Sequence, residues 1–165
     1  MNFITSNLEL VSLSLDGLDT FIGNLRSTVT RENRKIIKEA NYSTLTKSIN
    51  KAIRLQYTKI KKNPTSGVFH GVWIIIRKSD RIVVGSFSVI GPREGQYEVN
   101  LSYFLDRNYE GLGYIDEIIK EVYLFALVQT DILYLIRSNI YEVVDKNQST
   151  YSEKELNEID IILKR

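Results

Sequence analysis

The sequence predicts one domain of the α+β class (mixed α/β), in which helices flank a mostly antiparallel sheet. Two patterns predict this class. β-branched runs separated by turns occupy 71–105, and apolar residues recur every three or four positions within 31–62 and after Gly113. The 165 residues are 43% hydrophobic and 25% charged, which is ordinary globular usage. A chain of this length buries one core, so we expect a single domain over 1–165.

The first part of the chain predicts a strand and then helices. The segment "LELVSL" at 8–13 alternates apolar and polar residues, as a half-buried strand does, and Asp16 opens a short helical segment. A longer helix is predicted within 31–62 and is closed by the Asn63-Pro64 pair. Its apolar stripe consists of Leu45, Ile49, Ala52, Ile53, Tyr57 and Ile60.

The second part predicts three antiparallel strands, a helix and further strands. The segment 71–91 carries two β-branched runs around a polar turn at 78–80, and 96–105 gives a third strand after Gly91-Pro92. A helix opens near Gly113, and "DILYLI" at 131–136 reads as a further strand. The last apolar group, "IDIIL", predicts a short final strand.

Composition excludes several classes of function. The net charge of +2 is too small for a nucleic-acid surface. The absence of cysteine excludes disulfides and thiolate metal sites, and a single histidine, His70, excludes a multi-histidine site, so we predict no metal and a structural His70. The longest apolar runs are shorter than a membrane span. We therefore expect a cytoplasmic protein with neither nucleic-acid nor membrane partners.

The segment "YEGLGYIDE" at 109–117 places two glycines where a helix begins after a strand. The first N–H groups of a helix have no intrahelical partner, and glycine lets an anion approach the backbone closely. Gly111 and Gly113 therefore predict a phosphate cradle. The alternative is that they only terminate a loop. A dinucleotide fingerprint would need a third glycine at Asp116, and no Gly-Lys-Ser/Thr follows for a P-loop.

The stretch 71–127 resembles the GNAT superfamily of acyl-CoA-dependent N-acetyltransferases, in particular the branch of ribosomal-protein N-terminal acetyltransferases (RimJ/RimL-like). The matching features are Trp73 in a hairpin strand, "IVVGSFSV" as the returning strand, "EVNLSYFL", and "YEGLGYIDE" where that branch has Tyr-Gln-Gly-Lys-Gly-Tyr-Ala-Thr-Glu. The resemblance covers most of residues 8–137. It implies a central, mostly antiparallel twisted sheet flanked by helices, with acetyl-CoA as cosubstrate.

The resemblance also implies the residues that hold acetyl-CoA. The pyrophosphate motif of the family falls on residues 110–115, after the strand that ends near Leu105, and a later contact falls on Asn147. The implied cofactor-binding residues are Phe104, Leu105, Glu110, Gly111, Leu112, Gly113, Tyr114, Ile115 and Asn147. Glu110 and Ile115 depart from the family, which has a neutral or cationic residue and a small residue there, and both changes are expected to weaken binding.

For the chemistry, the resemblance implies a base that accepts the proton of the acceptor amine and an acid that protonates the leaving thiolate. Glu98 matches the first glutamate of the family's Glu-Val-Glu pattern and is the predicted base. Its alternative role is a solvated carboxylate on a strand. Asn100 replaces the second glutamate and cannot accept a proton at neutral pH. Tyr151 is the predicted acid.

Two functions remain open from the sequence. The first is an acetyl-CoA-dependent N-acetyltransferase that acts on an amine of a protein N-terminus or a small molecule, which the Gly-x-Gly segment favours. The second is a catalytically degenerate GNAT-fold protein that serves as a protein-binding or regulatory module. Glu110, Asn100 and the missing Gly-Phe of the last strand favour the second. We predict the enzyme, and a homodimer stays open as its assembly.

Overall fold

The computed structural model describes residues 3–13, 47–62, 70–92, 95, 97–128, 132–141, 144 and 157–162. Within these residues, seven strands form one sheet, and two helices flank it. The elements in chain order are β1 (Phe3–Ile4), β2 (Leu8–Ser12), α1 (Lys47–Lys62), β3 (Gly71–Arg77), β4 (Val83–Ile90), β5 (Glu98–Leu105), α2 (Tyr114–Leu127), β6 (Tyr134–Asn139) and β7 (Asn157–Ile162). The predicted α+β class is confirmed.

The strands lie side by side in the order of the sequence. Every neighbouring pair is antiparallel except β5 and β6, which are parallel and paired from Glu98–Tyr134 to Tyr103–Asn139. A parallel pair needs a crossover connection, and α2 provides it. As a result, the carboxyl ends of β5 and β6 lie at the same edge of the sheet, next to the turn that starts α2.

A hydrophobic cluster fills each face of the sheet. On one face, the apolar stripe of α1 packs on β2, β3 and β4, with Ile49, Ile53 and Ile60 buried. On the other face, α2 buries Ile118, Val122 and Ala126 against the opposite side chains of the same strands. None of the described helices is long and apolar enough to cross a membrane.

The predicted elements that lie within the described residues are largely confirmed. The strand at 8–13, the hairpin around 78–80, the third antiparallel strand and the helix after Gly113 are all present. The second half of the predicted 31–62 helix is α1, and the final strand is β7. The helical segment predicted after Asp16 and residues 31–46 lie outside the described residues.

Two strand predictions differ from the structure. The strand predicted at 131–136 begins at Tyr134 and runs to Asn139, because pairing with β5 extends into the polar Arg137–Asn139 stretch. The strand β1 was not predicted. It has only two residues, and its pairing with β2 places it in the sheet.

Candidate active site

The glycine segment forms an open turn between β5 and α2. A short 3-10 turn (Arg107–Tyr109) follows β5, and Asp106 caps it by accepting the Asn108 N–H at 3.1 Å. Gly111 and Gly113 then adopt left-handed backbone conformations, with φ of 77° and 81°. A Cβ added at either glycine would have no non-neighbouring atom within 4 Å. Both glycines therefore combine a conformation that side chains disfavour with open space in front of the backbone.

The amino end of α2 is available to an anion. Gly113 is the N-cap of α2 and supplies no side-chain cap, so the N–H groups of the first turn lack a side-chain acceptor. The side chains of Tyr114 and Ile115 pack against the core cluster on the α2 face, whereas Leu112 is 53% exposed. At Gly111 and Gly113 the turn presents bare backbone to solvent, beside the exposed side chains of Glu110 and Leu112. That arrangement fits a phosphate group.

The first turn of α2 is tied to the amino-terminal hairpin through Glu117. Its carboxylate accepts hydrogen bonds from the Thr5 hydroxyl, the Asn7 side-chain amide and, at 3.2 Å, the Asn7 backbone N–H. Burial alone would raise the pKa of Glu117, but these hydrogen bonds and the nearby Lys78 lower it below its ordinary value. No local sequence pattern predicts these partners of Glu117, because Thr5 and Asn7 lie 112 and 110 positions away. This anchor holds the start of α2 in place.

The carboxyl end of β5 borders the turn. Along β5, Asp106 N–H donates to Val84 of β4, whereas the Tyr103 carbonyl accepts from Ile140 after β6, both at 2.9 Å. Because these directions alternate, the peptide groups of Leu105 face the β6 side, beyond the last paired residues. The side chains of Phe104 and Leu105 are themselves buried in the two cores. Their backbone, not their side chains, is what a ligand could reach.

The α1 face carries polar side chains in the middle of the sheet. Gln56 is fully buried; it donates to the Ser86 and Ser102 carbonyls and accepts from the Ser86 hydroxyl at 2.7 Å. In contrast, the hydroxyl of Ser88 and the side-chain carbonyl of Asn100 are buried and have no hydrogen-bond partner among the residues that the structure describes. Such groups cost free energy, and at functional sites they can receive a donor from a ligand.

Glu98 lies on the same face at the amino end of β5 and is half-buried. Alternation along the strand places Glu98, Asn100 and Phe104 together on the α1 side. Glu98 is separated from Leu105 by about 20 Å along the strand. The structure therefore brings Glu98 near Asn100 but not near the glycine turn. Asn147 and Tyr151 lie outside the described residues, so their predicted roles stay predictions.

His70 lies just before β3 and is half-buried. Its burial lowers the pKa of the imidazole, which favours the neutral form at pH 7. The structural role predicted for His70 stays a prediction. His70 does not belong to the glycine turn.

Comparison with models of protein families identifies the family of this chain. The model of the acetyltransferase (GNAT) domain matches residues 7–147, which is most of the sequence. The chain belongs to the GNAT family. Acetyl transfer is the activity that this membership supports. The matched residues include the whole of β5, the glycine turn and α2.

Several solved GNAT structures are similar to the chain at low identity. The RimL ribosomal L7/L12 alpha-N-protein acetyltransferase in complex with coenzyme A is 12% identical, with a TM-score of 0.47, over 82% of this chain and 72% of that protein. The ribosomal-protein-S5-alanine acetyltransferase from Vibrio fischeri is 13% identical, with a TM-score of 0.47, over 84% and 73%. A GNAT acetyltransferase from Bacillus anthracis is 11% identical, with a TM-score of 0.44, over 84% and 73%. Comparison with curated protein sequences finds no match.

Proposed function

We propose that this GNAT protein is an acetyl-CoA-dependent N-acetyltransferase that acts on an amine of a protein N-terminus or a small molecule. The observation that carries the proposal is the open glycine turn at the uncapped start of α2. It lies at the edge of the sheet where the parallel strands β5 and β6 end. Family membership supports acetyl transfer, and the turn offers the chain's own means of holding the acetyl donor.

The cosubstrate site would use backbone groups. The N–H groups that follow Gly111 and Gly113 would hold the diphosphate, and the helix dipole adds partial positive charge there. The Leu105 peptide groups, which face the side beyond the β5–β6 pairing, would bind the pantetheine arm. Ile115 does not obstruct this arrangement because its side chain packs against the core.

Acetyl-CoA supplies the activated acetyl group, and the chain supplies proton acceptance and orientation. In the transfer, the amine nitrogen forms a bond to the acetyl carbon, the carbon–sulfur bond breaks, and the amine proton must leave. Glu98 is the proposed acceptor of that proton. The unpaired Asn100 carbonyl can accept a hydrogen bond from the amine and so orient it, although it cannot take the proton. Tyr151 is the proposed donor to the thiolate.

Calorimetric titration of the full chain with acetyl-CoA tests the proposal. We expect the wild type to bind acetyl-CoA with micromolar affinity. In Gly113→Asp, binding should fall below detection because a Cβ and a carboxylate then enter the phosphate cradle. Gly95→Asp is the matched control. Gly95 also has a positive φ, 73°, and open space around its Cβ position, but it lies in the turn before β5. It should keep wild-type affinity.

Turnover is checked by thiol release from acetyl-CoA in the presence of small amines and peptides with free N-termini. Acetyl-CoA binding with amine-dependent thiol release supports the proposal. If the wild type shows no binding at millimolar acetyl-CoA, the enzyme proposal fails, and a protein-binding role is the function to pursue. Equal affinity in Gly113→Asp and Gly95→Asp would show that acetyl-CoA does not use the glycine turn.

A further inference from the structure

Arg107 lies over two stacked aromatic rings, those of Tyr141 and Phe104, where β5 and β6 end. Its guanidinium carbon lies 4.7 Å from the centre of the Tyr141 ring. That ring is itself stacked on Phe104, with ring centroids 5.8 Å apart and planes 2° from parallel. The Asn139 side chain accepts the Tyr141 backbone N–H at 2.9 Å, and this hydrogen bond helps to hold Tyr141 in place. The Arg107 side chain thus spans from the turn after β5 to the residue that follows Ile140 at the end of β6.

The hydrogen-bond donors of Arg107 are unused in the described part of the chain. Neither a hydrogen bond nor an ion pair to the guanidinium occurs among these residues, and the side chain is exposed. Stacking holds a guanidinium through its face and leaves the N–H groups at its edge free. The Arg107 guanidinium is therefore held in place by Tyr141, and its N–H donors are available to a ligand in the described part of the chain.

Arg77 provides an internal comparison. Its guanidinium also stacks on a tyrosine beside the turn, 5.0 Å from the centre of the Tyr109 ring. However, Asp80 binds it through two hydrogen bonds, of 3.0 and 2.6 Å. Asp80 and then Tyr114 raise the pKa of Arg77 above its ordinary value. The two arginines share chemistry and surroundings, but the charge of Arg77 is already compensated.

The turn has a surplus of negative charge. Residues 106–117 contain four carboxylates and one guanidinium, that of Arg107. Asp106 and Glu117 are engaged in structural hydrogen bonds, whereas Glu110 and Asp116 are exposed. A phosphate that approaches this turn meets unfavourable charge unless a cation compensates it. Arg107 is the cation within the turn that can do so.

We propose that Arg107 is a phosphate-binding residue of the acetyl-CoA site. The inference rests on the proposed function and adds a specific residue to it. The planar guanidinium presents paired N–H donors that match phosphate oxygens, and its stacking on Tyr141 fixes it in place before the ligand binds. Arg107 thereby offsets Glu110, which stands where the resemblance implies a neutral or cationic residue. The phosphate is either in the diphosphate or at the 3′ position of CoA.

The test is calorimetric titration of full-length variants with acetyl-CoA, CoA and 3′-dephospho-CoA. We expect Arg107→Gln to weaken the binding of CoA by about tenfold to a hundredfold, since a charge-assisted contact is lost. Arg107→Lys should fall between this variant and the wild type, because an ammonium keeps the charge without the fork. Arg77→Gln, the matched control, should stay within about twofold of the wild type. Thermal unfolding checks that each variant is folded.

The three ligands locate the phosphate. Equal loss of affinity for CoA and 3′-dephospho-CoA assigns Arg107 to the diphosphate, whereas loss for CoA alone assigns it to the 3′-phosphate. Wild-type affinity in Arg107→Gln overturns the role of Arg107 and leaves the proposed function standing. A similar loss in Arg77→Gln and Arg107→Gln overturns it as well, because the effect would then be general to the charge of this surface. If the wild type binds none of the three ligands, the proposed function and the inference both fail.

Discussion

The two faces of the central strands bury different kinds of side chain. On the α2 face, the middle of β4 and β5 presents the apolar side chains of Phe87, Val89, Val99 and Leu101. On the α1 face, the positions between them are polar, namely Ser86, Ser88, Asn100 and Ser102, while Ile90 and Phe104 nearer the strand ends join the core. An apolar face packs without polar groups that need partners, so it gives α2 and the glycine turn a firm base. On the α1 face, buried polar groups without partners among the described residues lower stability, but they lie near Glu98, the predicted base.

The largest expected effect tests whether the reaction takes place on the α1 face. Glu98→Gln should lower kcat for thiol release by about a hundredfold to ten-thousandfold, because the amide cannot accept the amine proton. Affinity for acetyl-CoA should be unchanged, since Glu98 lies far along β5 from the glycine turn. The assay uses the amine or peptide that gives the fastest release with the wild type.

Glu121→Gln is the control for that variant. Glu121 is a half-buried carboxylate on α2, on the opposite side of the sheet. Its replacement should leave kcat within about twofold of the wild type. Full activity in Glu98→Gln would remove the proposed base and, with it, the assignment of the reaction to the α1 face.

The next effect concerns the stability assigned to the α2 face. Phe87 is fully buried and stacks on Trp73, with ring centroids 5.0 Å apart. Phe87→Ala should lower the free energy of unfolding by about 3–5 kcal/mol, as removal of a buried aromatic ring does. Urea denaturation followed by circular dichroism measures it. Leu124→Ala, at a position that is 48% exposed on α2, should change stability by about 0.5 kcal/mol or less. Similar losses in both variants would contradict a core centred on this face.

The smallest expected effect is the difference in stability between variants of two serines on the α1 face. Ser86 and Ser88 are both fully buried on β4, but within the described part of the chain the Ser86 hydroxyl binds Gln56 and the Ser88 hydroxyl has no partner. Ser86→Ala should lower the free energy of unfolding by about 1–2 kcal/mol, because Gln56 then loses its donor. Ser88→Ala should leave it unchanged or raise it by up to about 1 kcal/mol. The same urea measurement decides, and a larger loss in Ser88→Ala than in Ser86→Ala would show that Ser88 is paired in solution.

Local patterns in the sequence predicted the strands that form both faces. β-branched runs around a polar turn predicted β3 and β4, and a third run after Gly91-Pro92 predicted β5. The glycine turn was predictable for a similar reason. Two glycines between a strand and an apolar-periodic helix are a local signal of the helix start, and the structure adds that both have left-handed backbone conformations.

Contacts between distant parts of the chain were not predictable. The stacking of Arg107 on Tyr141, which lies 34 positions later, is such a contact, whereas Arg77 is bound by Asp80 only three residues further along the chain. Likewise, Glu117 follows the pattern of a helix first turn, and only the packing of the amino-terminal hairpin shows that Thr5 and Asn7 bind it. The extent of β6 depended on its neighbour in the same way, because strand ends are set by pairing.

By itself, the sequence determined the α+β class, most of the strands and helices within the described residues, and the position of the glycine turn. These follow from residue patterns with periods of two and of three to four, and from the conformational freedom of glycine, all of which act over a few neighbouring residues. The tertiary structure decided which polar groups are paired among the described residues, that Arg107 lies on Tyr141, and which ends of strands meet. Those outcomes depend on side chains that are far apart in sequence and come together only when the sheet and its two cores are formed.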